Sequence, residues 1–185
     1  MKTITLEQHH IGEGYPCFII AEAGVNHNGN IELAHTLIDI AAECKVDAIK
    51  FQTFIPEKLV TQTARMADYQ ERNTGKIESQ ESMLAKLVLP TEAYVSLQSH
   101  AKEKGLIFLS TPFDEESADF LDSLHVPAFK IPSGEVINHP LLEHIARKNK
   151  PVLMSSGMCT ISEVQEAVNC IRQTGNNSLA LFHCV

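Results

Sequence analysis

Residues 152–183 read VLMSSGMCTISEVQEAVNCIRQTGNNSLALFH and contain one complete strand–helix–strand unit. Two short apolar runs at its ends enclose a stretch with helical periodicity. Thr160 and Glu163 form a T-x-x-E capping box at the start of that helix, and Gly175 lies just past its end. The stretch therefore predicts two parallel strands joined by a right-handed helical crossover.

The same alternation extends through the rest of the chain. Six short apolar runs bounded by turn residues are predicted as strands buried on both faces, and five stretches between them as helices. The predicted strands are residues 17–22, 48–53, 107–110, 128–131, 152–155 and 179–183. The predicted helices are residues 31–44, 91–104, 115–124 and 140–148, and the helix that follows Thr160. Repeated alternation of strand and helix indicates an α/β protein with a parallel sheet.

The fold class predicted from this pattern is an incomplete (β/α)8 TIM barrel. A complete barrel has eight strands and eight helices in about 250 residues, whereas this chain of 185 residues supplies about six strands and five helices. An open doubly wound sheet is the alternative, because six strands would also suit it. Against that alternative, no G-x-G-x-x-G motif follows the first predicted strand.

The composition narrows the class of protein. The chain is 44% hydrophobic, enough for one domain, and its net charge is −8 without a cluster of Lys or Arg. Nucleic acid and membrane surfaces are therefore not expected as partners. Five cysteines without metal-ligand or redox spacing predict reduced thiols and a cytoplasmic location. We find no pattern of a signal peptide or a membrane span.

Polar side chains recur where the predicted strands end, which is where a parallel barrel carries its chemistry. The residues in these positions are Glu22, Lys50, Gln52, Ser110, Thr111, Lys130, Ser133, Glu135, Ser155 and His183. Lys50 and Lys130 are flanked by apolar neighbours, and a buried lysine is costly unless it is paired. Two such lysines beside hydroxyl groups and glycines predict a phosphate or carboxylate ligand.

Simpler readings exist for each residue taken alone. A Ser or Thr at a strand end is usually a helix cap, a single Lys is usually a surface residue, and Glu135 could merely cap the next helix. His27 and His183 could be ligands or proton carriers, but neither is sufficient by itself. The connection at 54–89 is longer than the others and polar, which is typical of a substrate loop or lid.

Several of these segments together resemble the sialic acid synthase family. The matching motifs are IAEAGVNHNG at 20–29, KFQT at 50–53, LSTPF at 109–113, FKIPSGE at 129–135, MSSGM at 154–158 and LFHC at 181–184. They occur in order along nearly the whole chain, with the expected element between each pair. The segment YQERNTG at 69–75 looks closest to the bacterial branch that makes N-acetylneuraminate or legionaminate.

The resemblance implies a transferase that condenses phosphoenolpyruvate with an N-acetylated mannosamine-type sugar. Phosphate leaves by C–O cleavage, and the product is a sialic acid or legionaminic acid. The implied catalytic residues are Glu22, Lys50 and Lys130. The implied substrate-binding residues are Gln52, Asn73, Thr111, Ser133, Glu135 and Ser155.

The family also implies parts that residues 1–185 do not contain. It uses Mn²⁺ or Mg²⁺, whose two histidine ligands would lie beyond Val185, so no metal ligand is predicted here. The last barrel units and a C-terminal antifreeze-like (SAF) domain are likewise expected outside this N-terminal barrel portion, and the full-length enzyme is expected to be a homodimer. We expect the fragment alone to be inactive. The alternatives are a Schiff-base aldolase that uses Lys130 and a non-catalytic truncated fragment.

Overall fold

The computed structural model describes residues 3–61, 63–66, 70, 72, 75 and 78–184. An N-terminal hairpin consists of β1 (Ile4–Leu6) and β2 (His9–Ile11). The six strands that follow are β3 (Ile20–Gly24), β4 (Ala48–Thr53), β5 (Ile107–Pro112), β6 (Phe129–Ile131), β7 (Val152–Ser155) and β8 (Leu179–Phe182). Five longer helices connect them: α1 (Ile31–Glu43), α4 (Thr91–Glu103), α5 (Glu115–Ser123), α6 (His139–Ala146) and α7 (Ile161–Gln173). Two short helices, α2 (Pro56–Leu59) and α3 (Gln80–Ala85), lie in the connection between β4 and α4, and a 3₁₀ turn covers Ser133–Glu135.

The six strands form two parallel three-stranded sheets whose order follows the sequence. One sheet is β3-β4-β5 and the other is β6-β7-β8. Because β5 also lies against β6, the strands continue as one wall of an open barrel. The predicted α/β architecture is therefore confirmed. The extent of the domain beyond these residues stays a prediction.

Side chains of the strands alternate between an inner and an outer core. Ala48, Leu109 and Leu153 pack together inside the barrel wall, whereas Ile49 and Phe51 pack outward against the helices. A period of two along each strand produces this division. Lys50 and Lys130 occupy inward-facing positions of this alternation, so both side chains point into the barrel.

The hairpin β1–β2 was not predicted. Its strands have three residues each and lie in a polar segment, so local periodicity is too short to indicate them. Ile4 and Leu6 of this hairpin are buried in the inner core with Ala48 and Ile107, the residues that begin β4 and β5. The hairpin therefore closes the end of the barrel opposite the strand C-termini.

Side chains cap the starts of α7 and α5, and the cap of α7 is the predicted one. Thr160 and Glu163 form the reciprocal capping box of α7. Asp114 caps α5 by accepting a hydrogen bond from the Ser117 amide at 2.8 Å. The Asp114 carboxylate also accepts one from the Ile55 amide at 3.0 Å, so the cap of α5 holds the first residues after β4.

The connection at 54–89 is described in part. Arg65 and Ser79 form an antiparallel bridge within it, but Asn73 lies outside the described residues. The proposed role of this connection as a substrate loop, and of Asn73 as a substrate ligand, stay predictions. Within the described part of the chain, no helix is both long and apolar enough to cross a membrane.

Candidate active site

A cavity of about 350 Å³ lies at the C-terminal ends of the strands. Seven of the nine predicted site residues line it. Glu22, Lys50, Gln52 and Thr111 come from β3, β4 and β5. Lys130, Ser133 and Ser155 come from β6, the turn after it, and β7. The parallel register explains this convergence, since it pairs Gln52 with Thr111 and sets the strand ends side by side.

Lys50 has its charged partner within the protein. Only 7% of the residue is exposed, and its ammonium forms an ion pair with the Glu22 carboxylate. It also donates a hydrogen bond to Thr111 Oγ1 at 3.2 Å. The sequence interpretation assigned both lysines to an external anion and did not anticipate this pair. Because the Glu22 side chain is 52% exposed, its carboxylate also faces the cavity.

Among the described residues, the hydrogen-bond partners of Lys130 are neutral. Its ammonium donates to Ser155 Oγ at 2.6 Å and to the Ile131 carbonyl at 2.8 Å. Burial, together with the nearby positive charge of Lys50, lowers the pKa of Lys130 to about 8, although Glu22 acts in the opposite direction. An anion bound beside this ammonium would raise the pKa of Lys130 back toward its usual value and would supply a negative charge to pair with it.

Gly24 makes room for two of the site side chains. Its φ is +54°, in the left-handed region. A Cβ there would lie 3.1 Å from Glu22 Oε1 and 3.5 Å from Gln52 Nε2. Glycine at this strand end therefore leaves both polar groups free to face the cavity.

Glu135 lies outside the lining of the cavity. Its carboxylate accepts a hydrogen bond from the Asn138 amide group at 2.8 Å, and Asn138 in turn caps α6. This is the helix-end environment that the sequence left open as an alternative. Its assignment as a substrate-binding residue stays a prediction.

The two histidines considered as ligands or proton carriers lie apart from the cavity lining. His27 is 1% exposed, and its Nδ1 accepts a hydrogen bond from the Gly29 amide at 3.1 Å. Burial lowers the pKa of His27, so the ring is neutral and supports the loop after β3. His183 is exposed. The described residues contain no group of three His, Cys, Asp or Glu side chains arranged to hold a metal ion.

Two site residues were missed, one that ends β8 and one that lies two positions beyond it. Cys184 lines the cavity, and the Phe182 ring centroid lies 5.7 Å from Lys130 Nζ. The Cys184 thiol donates a hydrogen bond to the Phe182 carbonyl. The nearby Ser156 amide and the positive charge of Lys130 lower the pKa of Cys184. Extending the two-residue alternation from Ala180 would have placed both side chains on the inner face.

Comparison with known proteins identifies the family. Residues 37–185 match the model of the NeuB family. The chain belongs to the NeuB family. The resemblance inferred from the strand-end motifs is thereby confirmed.

Two relatives in the NeuB family are synthases of acidic sugars or their phosphates, as their names state. The chain is 46% identical over 177 residues to N,N'-diacetyllegionaminic acid synthase of Legionella pneumophila, which covers 94% of this chain and 50% of that protein. It is 35% identical over 168 residues to N-acetylneuraminate-9-phosphate synthase of Mus musculus, which covers 90% of this chain and 46% of that one. The chain thus spans about half the length of the curated relatives it matches.

A solved structure extends the family likeness to the fold. The crystal structure of N-acetylneuraminic acid (sialic acid) synthetase from Leptospira borgpetersenii, in complex with citrate, matches with a TM-score of 0.87 and 32% identity. The match covers 100% of this chain and 59% of that chain. The predicted likeness to the N-terminal barrel portion of a sialic acid synthase is confirmed.

Proposed function

We propose that the protein condenses phosphoenolpyruvate with an N-acetylated mannosamine-type sugar to form a sialic acid or a legionaminic acid, with release of phosphate. The observation that carries the proposal is the pairing of two buried lysines with hydroxyl groups in one cavity. Lys130 with Ser155 and Lys50 with Thr111 line the same wall of strand ends. Membership of a family that contains sialic and legionaminic acid synthases supports it.

The phosphoenolpyruvate would bind against Lys130, whose hydrogen-bond partners among the described residues are neutral. Lys130 carries the positive charge, and Ser155 accepts its hydrogen bond at 2.6 Å, so the serine hydrogen can donate to a phosphate oxygen. Ser133 lines the same side of the cavity. Lys50 and Thr111 are positioned for the remaining oxygens, from β4 and β5. Charge-assisted hydrogen bonds of this kind bind a multiply charged anion strongly.

The chemistry then requires proton transfer and stabilisation of a cation. Carbon 3 of phosphoenolpyruvate forms a bond to the sugar aldehyde carbon, the aldehyde oxygen gains a proton, and positive charge develops at carbon 2. Water adds to carbon 2 and loses a proton, and the bond from carbon 2 to the phosphate oxygen breaks. The exposed Glu22 carboxylate, paired with Lys50, is suited to stabilise that charge and to carry a proton.

The metal ion, the oligomeric state and the location of the full-length protein also belong to this proposal. An Mn²⁺ or Mg²⁺ ion bound by residues outside 1–185, a homodimeric full-length enzyme and a cytoplasmic location are proposals. The inactivity of residues 1–185 alone is also a proposal.

The proposed function is tested by assaying the protein at its full natural length. We expect phosphate release that requires both phosphoenolpyruvate and an N-acetylated sugar, and a product whose mass is that of the condensed acid. With ¹⁸O in the bridging position of phosphoenolpyruvate, the label should leave with phosphate, because the C–O bond breaks. Sugar-independent phosphate release, or retention of the label in the organic product, would contradict the proposal.

A Schiff-base aldolase is the second candidate. It is favoured by the lowered pKa of Lys130, about 8, which makes a neutral amine accessible. Borohydride reduction in the presence of pyruvate separates the two mechanisms. An adduct trapped on Lys130 would support the aldolase, and the absence of an adduct together with sugar-dependent phosphate release would support the condensation.

The binding of phosphoenolpyruvate should depend on pH above neutrality. Because Lys130 has a pKa of about 8 in the free protein, its charge is present below that pH and lost above it. A bound anion raises this pKa, so binding above about pH 8 takes up a proton. We expect the affinity to fall by up to about tenfold per pH unit above about pH 8. Calorimetric titrations in buffers of different ionisation enthalpy would measure both effects.

The matched control for this prediction is Lys130→Arg. Arginine stays charged through this range, so the variant should lose the pH dependence even if its affinity is lower. An unchanged pH profile in the variant would assign the titration to another group.

A further inference from the structure

Three buried hydroxyl groups lie behind the cavity, on the outer face of β4 and β5. Thr53 Oγ1 and Ser110 Oγ are 2.7 Å apart and link the two strands. The Tyr94 hydroxyl, near the start of α4, donates to the main-chain carbonyl of Gln52 at 2.8 Å. Burial raises the pKa of Tyr94, and a hydrogen bond with Thr53 partly opposes the shift. Thr53 and Ser110 thus link β4 to β5, and the Tyr94 hydroxyl links α4 to the end of β4.

A hydrogen bond to the Gln52 carbonyl can affect the geometry of the site. Its peptide plane joins Gln52 to Thr53, and the Gln52 side chain lines the cavity on the opposite side of the strand. The strand ends there, since Thr53 is the last residue of β4. Tyr94 itself is held firmly: it is 4% exposed, and its ring packs edge-on against Phe120 at 5.5 Å. A rigid donor therefore sets the peptide plane and with it the direction of the Gln52 side chain.

The opposite side of the cavity does not depend on this contact. The ammonium of Lys130 is held by Ser155 and by the Ile131 carbonyl, which belong to β6 and β7. Lys50 and Thr111, which also face phosphoenolpyruvate in the proposed function, are held by the Glu22–Lys50 ion pair and by their own hydrogen bond rather than by Tyr94. Loss of the Tyr94 hydroxyl would thus disturb the Gln52 peptide at the end of β4 and leave the contacts of both lysines in place. The two substrates of the proposed reaction can be distinguished on this basis.

We propose that Tyr94 is a positioning residue for the sugar, because its hydroxyl orients Gln52 toward the open-chain substrate. This inference rests on the proposed function and on the substrate-binding role that the family resemblance implies for Gln52. Tyr94 acts from outside the cavity, through the backbone of β4, and has no contact with either substrate. Its substitution should therefore change recognition of the sugar more than recognition of phosphoenolpyruvate.

The test is Tyr94→Phe in the full-length protein, which removes one hydroxyl and keeps the ring. We expect the KM for the sugar to rise about fivefold and the KM for phosphoenolpyruvate to change less than about twofold. Tyr15→Phe is the matched control, since Tyr15 is 46% exposed and outside the lining of the active cavity. It should change neither constant. In a Gln52→Ala background, Tyr94→Phe should have no further effect on the sugar KM.

Other results would overturn the inference. An equal rise of both KM values would indicate a general loss of structure, and an undiminished effect in the Gln52→Ala background would show that Tyr94 does not act through Gln52. If the wild-type protein consumes no phosphoenolpyruvate with any sugar, the proposed function fails separately. In that case, amide hydrogen exchange tests the contact between Tyr94 and the Gln52 carbonyl by itself. Faster exchange at residues 52–54 in Tyr94→Phe than in Tyr15→Phe supports the positioning contact, and equal exchange refutes it.

Discussion

Lys130→Ala is expected to lower kcat/KM for phosphoenolpyruvate by about a thousandfold in the full-length protein. The side chain is 8% exposed, and its charge is held by neutral groups at 2.6 and 2.8 Å. In the complex with phosphoenolpyruvate, loss of the ammonium would leave a buried anionic oxygen without its charged partner. Such a loss costs about 2–5 kcal/mol, and about 4 kcal/mol corresponds to the thousandfold effect. Steady-state kinetics with varied phosphoenolpyruvate and saturating sugar would measure it.

A second substitution at Lys130 separates the effect of its charge from that of its packing, and a substitution at another lysine is the control. Lys130→Met keeps most of the side-chain volume without the ammonium, so it should lose nearly as much activity as alanine. Lys150→Ala is the matched control. Lys150 also lies 5.7 Å from an aromatic ring, that of Phe129, but it pairs with Asp122 at 2.7 Å and is not part of the cavity lining. We expect less than about a threefold change for it. A loss below tenfold for Lys130→Ala would count against its role.

Gly29→Ala is expected to lower the free energy of unfolding by about 3 kcal/mol or more. The residue has φ +73°, and a Cβ there would lie 2.4 Å from the main-chain oxygen of Lys86. The left-handed conformation costs alanine about 1–2 kcal/mol, and the contact adds to it because a backbone carbonyl cannot move aside as a side chain can. Urea denaturation followed by circular dichroism would give the difference from the wild-type protein.

Gly105→Ala isolates the contribution of the contact. Gly105 has φ +76°, and a Cβ there would meet no atom within 4 Å. Its substitution therefore carries the conformational cost alone, about 1 kcal/mol. Equal destabilisation by the two substitutions would show that the loop after β3 can separate from Lys86 without loss. A larger effect at Gly29 would establish that this loop, which carries Asn26 into the cavity, depends on the end of the long connection.

The local periodicity of the sequence was sufficient to predict the six barrel strands and their connecting helices. The Thr160–Glu163 box illustrates why, because that helix start depends on two residues three positions apart. The bounds of the first strand were less accurate, since residues 17–22 were predicted and Ile20–Gly24 is observed. The register shift between Glu22 and Gly24 accounts for part of this difference, because an irregular strand end disrupts simple alternation.

The candidate site was predictable wherever it depended on position along a strand. Lys50 and Gln52 are two residues apart, so they share a face in any register. The contacts between strands were not predictable in the same way. The Glu22–Lys50 pair requires the register of β3 against β4, and the Tyr94 contact with Gln52 joins residues 42 positions apart.

The sequence by itself thus determined the alternating elements, the inward direction of the two lysines and the end of the barrel at which the polar residues gather. Each depends on the period of a strand or on a cap a few residues long. Only the tertiary structure decided which lysine has a charged partner, that the N-terminal hairpin closes the opposite end, and that Gly29 must approach Lys86. These properties depend on the distance between segments remote in sequence, which local periodicity does not contain.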